Sequence, residues 1–208
     1  MTPAGLILAG GHGSRMGGAV PKPLTLLAGR PLIGHIVDRL GDTVKPLLIA
    51  APTGQGFERF ARPLAPDLRP GLPGPLAGIE AGLAALTTLK DAPRHLLVTP
   101  GDAPFLPRDL ASQLTAAPDD QPIIAQFENR LQPATGLWPL GILPKLSAWL
   151  DADQPLAILA FLDSAGFVSV SIGPQDDAPD GDPFFNVNTP DDLATAQKFI
   201  GGTAAKGL

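Results

Sequence analysis

The chain has no cysteine. That excludes disulfides, thiolate nucleophiles and cysteine-ligated clusters, and it is compatible with a cytoplasmic location. Histidine is scarce: His12, His35 and His95 lie too far apart for a local zinc motif. No apolar run approaches the ~20 residues needed to span a bilayer, so no membrane partner is expected. The amino terminus lacks a basic stretch, so "GLILAGG" reads as a strand and loop, not as a signal peptide. Positive charge is not in excess either. The 15 Lys and Arg against 20 Asp and Glu leave a formal charge of -5, which argues against a broad nucleic-acid surface. Any anion must therefore be caught locally.

What is present fits one packed α/β unit. The 208 residues are 44% hydrophobic and 17% charged, enough to build a sizeable core and too apolar for disorder. A single domain is expected over residues 1–200, with "GGTAAKGL" (201–208) as a frayed tail. Short apolar runs predict strands at 4–9, 46–51, 95–100, 122–127 and 167–172, and a weaker one at 134–139. Helical spacing or composition predicts helices at 30–40, 57–61, 75–89, 107–114, 143–150, 155–165 and 189–200. The last carries a start signal: Thr189 as cap, Pro190 next, then Asp191 and Asp192 near the positive end. This alternation predicts a Rossmann-like, mainly parallel sheet with helices on both faces. Ligands of such sheets bind at the carboxyl ends of strands. The Pro- and Gly-rich stretches at 63–75 and 173–183 are expected as long loops near a site.

The first strand runs into "LAGGHGSRMGGAVPKPL". Gly10, Gly11, Gly13, Gly17 and Gly18 leave little side chain, so backbone N–H groups can approach a ligand closely. Arg15 adds a planar fork and Lys22 a movable point charge. The string matches neither the Walker A loop nor the dinucleotide fingerprint, which needs a glycine where Met16 stands. A tight strand-to-helix connection is the plain alternative. Five glycines together with two cations point instead to nucleotide phosphates. Asp102 follows the strand "HLLVT" and is placed to hold a metal against phosphates, or to serve as an ordinary turn aspartate. Asn186 and Asn188 alternate in "FNVN" and share a side if that stretch is extended; local capping is their other use. Gly74 and Gly78 flank "PLA", where missing side chains admit either a ligand or a close helix–strand contact.

"LILAGGHGSRMGG" followed by Lys22 resembles the opening signature of nucleotidyltransferases. "PGPLAGIEAGLAAL" (73–86), "VTPGDAPFLPRDL" (98–110) and "FFNVNTPDDLA" (184–194) resemble the molybdenum cofactor guanylyltransferase family. They stand in the family's order over nearly the whole chain. The resemblance implies a nucleotide-diphospho-sugar transferase-like fold. It implies transfer of GMP from GTP to a molybdopterin cofactor, with release of pyrophosphate and use of Mg2+. It assigns the metal to Asp102 and catalysis to Arg15, Lys22 and Asp102. It assigns the nucleotide to Leu8, Ala9, Gly10, Gly11, Gly13, Lys22, Asp67, Gly74 and Asp102, and the acceptor to Asn186 and Asn188. Because pterin cofactors are labile, proteins that donate and collect the cofactor are also expected.

The chain departs from the family pattern in places. Lys22 follows "AVP", one residue more than the usual spacing. Ala50 and Ala51 stand where the family often has an asparagine. Gln132, Pro133 and Ala134 replace a His-Pro-Thr order, and "DADQPLAILAF" lacks a basic cluster. The phosphate and metal residues are untouched by these changes; the acceptor side is not. A cytidylyltransferase for the same pterin, a sugar-phosphate nucleotidyltransferase and a non-enzymatic nucleotide-binding module are therefore alternatives. His12 is expected to face solvent, His35 to be structural, and Trp138 and Trp149 to be core.

Overall fold

Alternation along β1 (Ala4–Leu8) sends Leu6 to one face of the sheet and Ile7 to the other, and both are fully buried. The same split recurs in β4 (Leu47–Ala50) at Leu48 and Ile49 and in β5 (His95–Pro100) at Leu96 and Leu97. The sheet therefore carries a core on each face. Ile7, Ile49, Leu97, Ile123 and Leu137 meet Ile33, Ile36 and Leu40 of α1 (Leu32–Leu40) and Leu110 and Leu114 of α3 (Leu110–Leu114). On the opposite face Leu6, Leu48, Leu96 and Trp138 meet α2 (Pro75–Thr87), α4 (Leu143–Asp151) and α5 (Ile158–Ala165). Each such side chain contributes roughly 1.5–3 kcal/mol by leaving water. The structure is a computed structural model and describes residues 2–10, 20–69, 71, 74–115, 120–152 and 154–202.

The sheet has six strands in the order β4-β1-β5-β7-β6-β8, where β6 is Ile123–Phe127, β7 Arg130–Pro139 and β8 Val168–Ser171. β4, β1 and β5 are mutually parallel, and β6 is parallel to β8; only β7 runs against its neighbours. A mainly parallel sheet with helices on both faces is thus what the chain forms. The chain order reverses on either side of β1, with β4 on one side and β5 on the other, which opens a crevice at the carboxyl ends of β1 and β5.

Several boundaries differ from expectation. The strand expected at 134–139 spans Arg130–Pro139 and pairs with β6 through a tight turn. Glu128 and Asn129 take φ of 46° and 62° there, as a two-residue hairpin turn requires. The helix expected from residue 30 begins at Leu32, because Arg30–Pro31 (β3) pairs antiparallel with Leu26–Leu27 (β2). Residues 57–61 hold only a 3-10 turn, Glu58–Phe60. The helix expected at 107–114 is confined to α3. The one expected from 155 begins at Ile158, and the carbonyl of Pro155 instead accepts from Trp149 Nε1 at 3.0 Å. Trp138 and Trp149 both pack on Phe161, with centroids 5.9 and 5.8 Å away; Trp138 is fully buried in the core as expected, whereas Trp149 is half-buried at its edge.

α6 (Pro190–Gly202) runs two residues past the expected end of the domain, and residues 203–208 lie outside the described residues. Its start matches the sequence signal. Thr189 Oγ1 accepts from the Asp192 N–H at 3.1 Å, and Asp192 Oδ2 accepts from the Asn188 and Thr189 N–H groups at 2.9 and 2.8 Å. This capping places Asn188 beside the crevice. His35 is structural, its Nε2 lying 3.0 Å from the Leu27 carbonyl oxygen. Among the described residues no helix is long and apolar enough to cross a membrane.

Candidate active site

The carboxyl ends of β1, β4 and β5 are laced together by backbone. The Ala50 carbonyl accepts from the N–H groups of both Ala9 and Gly10, at 3.0 and 2.9 Å. The Leu8 carbonyl accepts from Gly101 N–H at 2.9 Å. The donors of Ala9 and Gly10 are therefore committed to the sheet, and Ala9 is buried. What this segment offers the crevice is the exposed backbone of Gly10 and the side of Leu8. Gly11, Gly13, Arg15 and His12 lie outside the described residues.

Gly101 is a steric necessity. A Cβ there would sit 2.9 Å from the Leu8 carbonyl oxygen and 2.9 Å from Pro23 Cγ. The close fit presses the 3-10 turn Lys22–Leu24 against the loop after β5. It brings the Lys22 ammonium onto Asp102, where it donates to Oδ2, and onto Asn188 Oδ1. The three side chains come from positions 22, 102 and 188 and converge across the end of the sheet. Lys22 and Asp102 keep 16% and 21% of their side-chain surface exposed, so the pair is sheltered yet open to a ligand. The Asp102 carbonyl accepts from Val187 N–H at 3.0 Å, which fixes the "FNVN" segment against the same loop. That segment is irregular rather than a strand, and its two asparagines part ways. Asn188 faces Lys22. Asn186 Oδ1 is buried with no hydrogen-bond partner among the described residues.

These groups fit a metal that arrives with its substrate. Among the described residues no three His, Cys, Asp or Glu side chains cluster as a protein-built cage. The Asp102 carboxylate, with the Asn188 amide oxygen on the same ammonium, offers hard oxygen donors of the kind a divalent cation takes. An orphaned buried acceptor such as Asn186 Oδ1 calls for a donor or cation in range.

A cleft of about 290 Å³ opens on the other side of β1, lined by Leu8, Gly10, Ala50, Ala51, Pro52, Gln55, Asp67, Gly74, Pro75 and Gly78. Four of the residues expected to bind nucleotide (Leu8, Gly10, Asp67 and Gly74) meet here. Gly74 holds the N-cap of α2 at φ 153° and ψ 164°, a conformation that side chains exclude. Gly78 has a packing role as well: a Cβ would meet Leu8 Cδ2 at 3.1 Å and Ala50 Cβ at 3.2 Å. Its absence lets α2 lie close to the strands and brings the helix start to the cleft. Asp67 stands at the rim, and desolvation pushes its carboxyl above the usual range.

Two features were not singled out from the sequence. Gln55 supplies an amide on a wall where Ala50, Ala51 and Pro52 offer no polar side chain; an isolated glutamine in "PTGQGF" gives no signal for it. Arg69, two residues after Asp67, places its guanidinium on Glu80 of α2, Nε to Oε2 at 2.7 Å and Nη2 to Oε1 at 2.8 Å. The signal was Glu80 itself, the only acid in the apolar run "PLAGIEAGLAALTTL".

Residues 5–165 match the MobA-like NTP transferase domain. The fold is that of the nucleotide-diphospho-sugar transferases, and the protein is a nucleotidyltransferase. A molybdenum cofactor guanylyltransferase from Cereibacter sphaeroides is 40% identical over 198 residues, covering 94% of this chain and 96% of that protein. Another from Bradyrhizobium sp. (strain ORS 278) is 36% identical over 93% of this chain and 91% of its own length. The crystal structure of molybdopterin-guanine dinucleotide biosynthesis protein A from Archaeoglobus fulgidus superposes with a TM-score of 0.73 at 21% identity, covering 96% and 99% of the two chains. The chain belongs to the molybdenum cofactor guanylyltransferase family.

Proposed function

We propose that this enzyme transfers GMP from GTP to the phosphate of molybdopterin, forming the guanine dinucleotide form of the cofactor and pyrophosphate. The observation that carries the reading is the meeting of Lys22, Asp102 and Asn188 at the strand ends, next to a cleft large enough for a base. Guanine lies in that cleft. The ionised Asp67 carboxylate accepts from its N1–H and its exocyclic amine, and the Gln55 amide offers a donor to its carbonyl. The triphosphate extends past Gly10 toward Lys22. There the ammonium turns from Asp102 to the β- and γ-phosphate oxygens, with Arg15 as the second cation. Asp102 is the residue that would hold Mg2+, which when bound offsets phosphate charge and lowers the cost of attack. Asn186 and Asn188 orient the acceptor.

The acceptor's phosphate oxygen attacks the α-phosphorus in line. The new P–O bond forms as the bond to the β-phosphate breaks, and the electron pair leaves with pyrophosphate. The attacking oxygen is already ionised near neutral pH, so no general base is required. Catalysis is then positioning and charge stabilisation. A nucleoside triphosphate donor places the reaction, on this reading, in the cytoplasm, and the labile pterin passes between this enzyme and proteins that deliver and collect it.

The test is turnover. Each nucleoside triphosphate is offered with Mg2+ and either molybdopterin or a sugar phosphate, and pyrophosphate is measured. The expected result is release with GTP and molybdopterin. Preference for CTP, or for a sugar phosphate, would replace the reading with one of its relatives. Binding without release in every combination would mean a module without acceptor chemistry.

A further inference from the structure

The loop that carries Asp67 is tied down on both sides. Upstream, Leu64 bridges Ile49 of β4: Ile49 N–H donates to the Pro63 carbonyl at 3.0 Å, and Ala65 N–H donates to the Ile49 carbonyl at 2.8 Å. Downstream, the Arg69 guanidinium forks onto Glu80 at 2.7 and 2.8 Å, donates to the Ser147 carbonyl at 3.3 Å, and pairs with Asp151. Ser147 Oγ completes the cluster by donating to Glu80 Oε1 at 2.7 Å. Only residues 66–68 lie between the two ties. Asp67 is the middle one.

The place of Glu80 gives the clamp its meaning. It stands on α2, the helix whose start, through Gly74, Pro75 and Gly78, walls the same cleft. Arg69 therefore ties the Asp67 wall to the α2 wall directly. Glu80 is 3% exposed among buried Ile79, Ala81 and Leu83. A buried ion pair there is a weak source of stability, because apolar residues of similar volume do as well. What a planar two-pronged contact supplies that apolar packing does not is a fixed distance and orientation.

We propose that Arg69, held by Glu80, Ser147 and Asp151, is a positioning residue for base selection: it sets where the Asp67 carboxylate stands relative to the start of α2. The inference rests on the reading of Asp67 as the guanine contact, and the experiment separates the two. Steady-state KM and kcat are measured with GTP and with ITP, which lacks the exocyclic amine, for wild type, Asp67→Ala, Arg69→Lys, Arg69→Met, Glu80→Gln and the Asp67→Ala/Arg69→Met pair. Melting temperatures are recorded alongside. Arg69→Met raises the GTP KM about tenfold with kcat within about twofold, and moves the GTP/ITP preference toward that of Asp67→Ala. Arg69→Lys, which keeps the charge but not the fork, falls between. The double variant loses no more than about twofold in preference beyond Asp67→Ala alone, because both changes act through one contact. If Arg69→Met does not fold, Arg69→Lys and Glu80→Gln carry the comparison. A preference that collapses in Asp67→Ala but stays at the wild-type value in the Arg69 and Glu80 variants, while their melting temperatures fall, would overturn the clamp and leave Asp67 in its role. A preference unchanged in Asp67→Ala would overturn both.

Discussion

At the β5 side of the site, Lys22 touches two polar side chains from distant parts of the sequence, Asp102 and Asn188. At the β4 side, a cleft of about 290 Å³ is walled, among the described residues, mostly by glycine, proline and alanine, with Gln55 and Asp67 as the polar side chains. The first region is built of charge and the second of shape. Charge serves a ligand part that is the same in every nucleoside triphosphate. Shape with one or two aimed polar groups serves the part that differs. Changes at the first should cost rate for all nucleotides, and changes at the second should cost choice among them.

The largest effect is expected from Asp102→Asn, which keeps the size and removes the charge. Pyrophosphate release at saturating GTP and Mg2+ should fall by about 10³-fold or more, roughly 4 kcal/mol of transition-state stabilisation. A variant that merely melts earlier and turns over normally would make Asp102 a turn residue. Lys22→Ala should follow, with about a 10²-fold loss in kcat/KM, near 2.7 kcal/mol, and the fold intact by circular dichroism. Near-normal rates with saturating GTP would remove Lys22 from the phosphate site.

A smaller effect comes from pH at the other region. Desolvation raises the Asp67 carboxyl above the usual carboxylate range. On the proposed reading, only the ionised form accepts from both guanine N–H groups. GTP affinity should therefore be full above that raised value and decline as the pH falls through it, by up to about tenfold per pH unit once below it. The decline begins at a higher pH than an ordinary aspartate would give. In Asp67→Ala the GTP profile should lose this limb, and ATP should lack it in both proteins. An identical acid limb for ATP and GTP in wild type would point to a phosphate or metal group instead.

The two regions also differed in how much of them could be read from sequence. Lys22, Asp102 and Asn188 each sit beside a recognisable local feature: a glycine-rich loop, a strand end, a helix start. Strand periodicity put the glycine-rich loop and Asp102 at the carboxyl ends of strands; the site roles of Asp102 and Asn188, against a turn and a cap, came from the family resemblance. The β4 region depends on contacts that no local pattern encodes. Arg69 meets Ser147 and Asp151 across 78 and 82 residues of sequence. Gln55 is a polar residue in an ordinary turn. The same holds for the fold. Strands buried on both faces, such as β5, stand out as unbroken apolar runs. β7 was half hidden, since Arg130 through Ala134 are exposed or half-buried and include Gln132 and Pro133. Its pairing is declared by the turn at Glu128 and Asn129, where a left-handed asparagine is an available signal.

The division between the two regions meets its most direct test in one ratio: kcat/KM for GTP over that for CTP, measured in wild type, Lys22→Ala and Asp67→Ala under the same Mg2+ and molybdopterin concentrations. The account predicts that Lys22→Ala lowers both values and leaves the ratio within about twofold, whereas Asp67→Ala reduces the ratio by about tenfold or more. A ratio that shifts as much in Lys22→Ala as in Asp67→Ala, or that survives in Asp67→Ala, would contradict it.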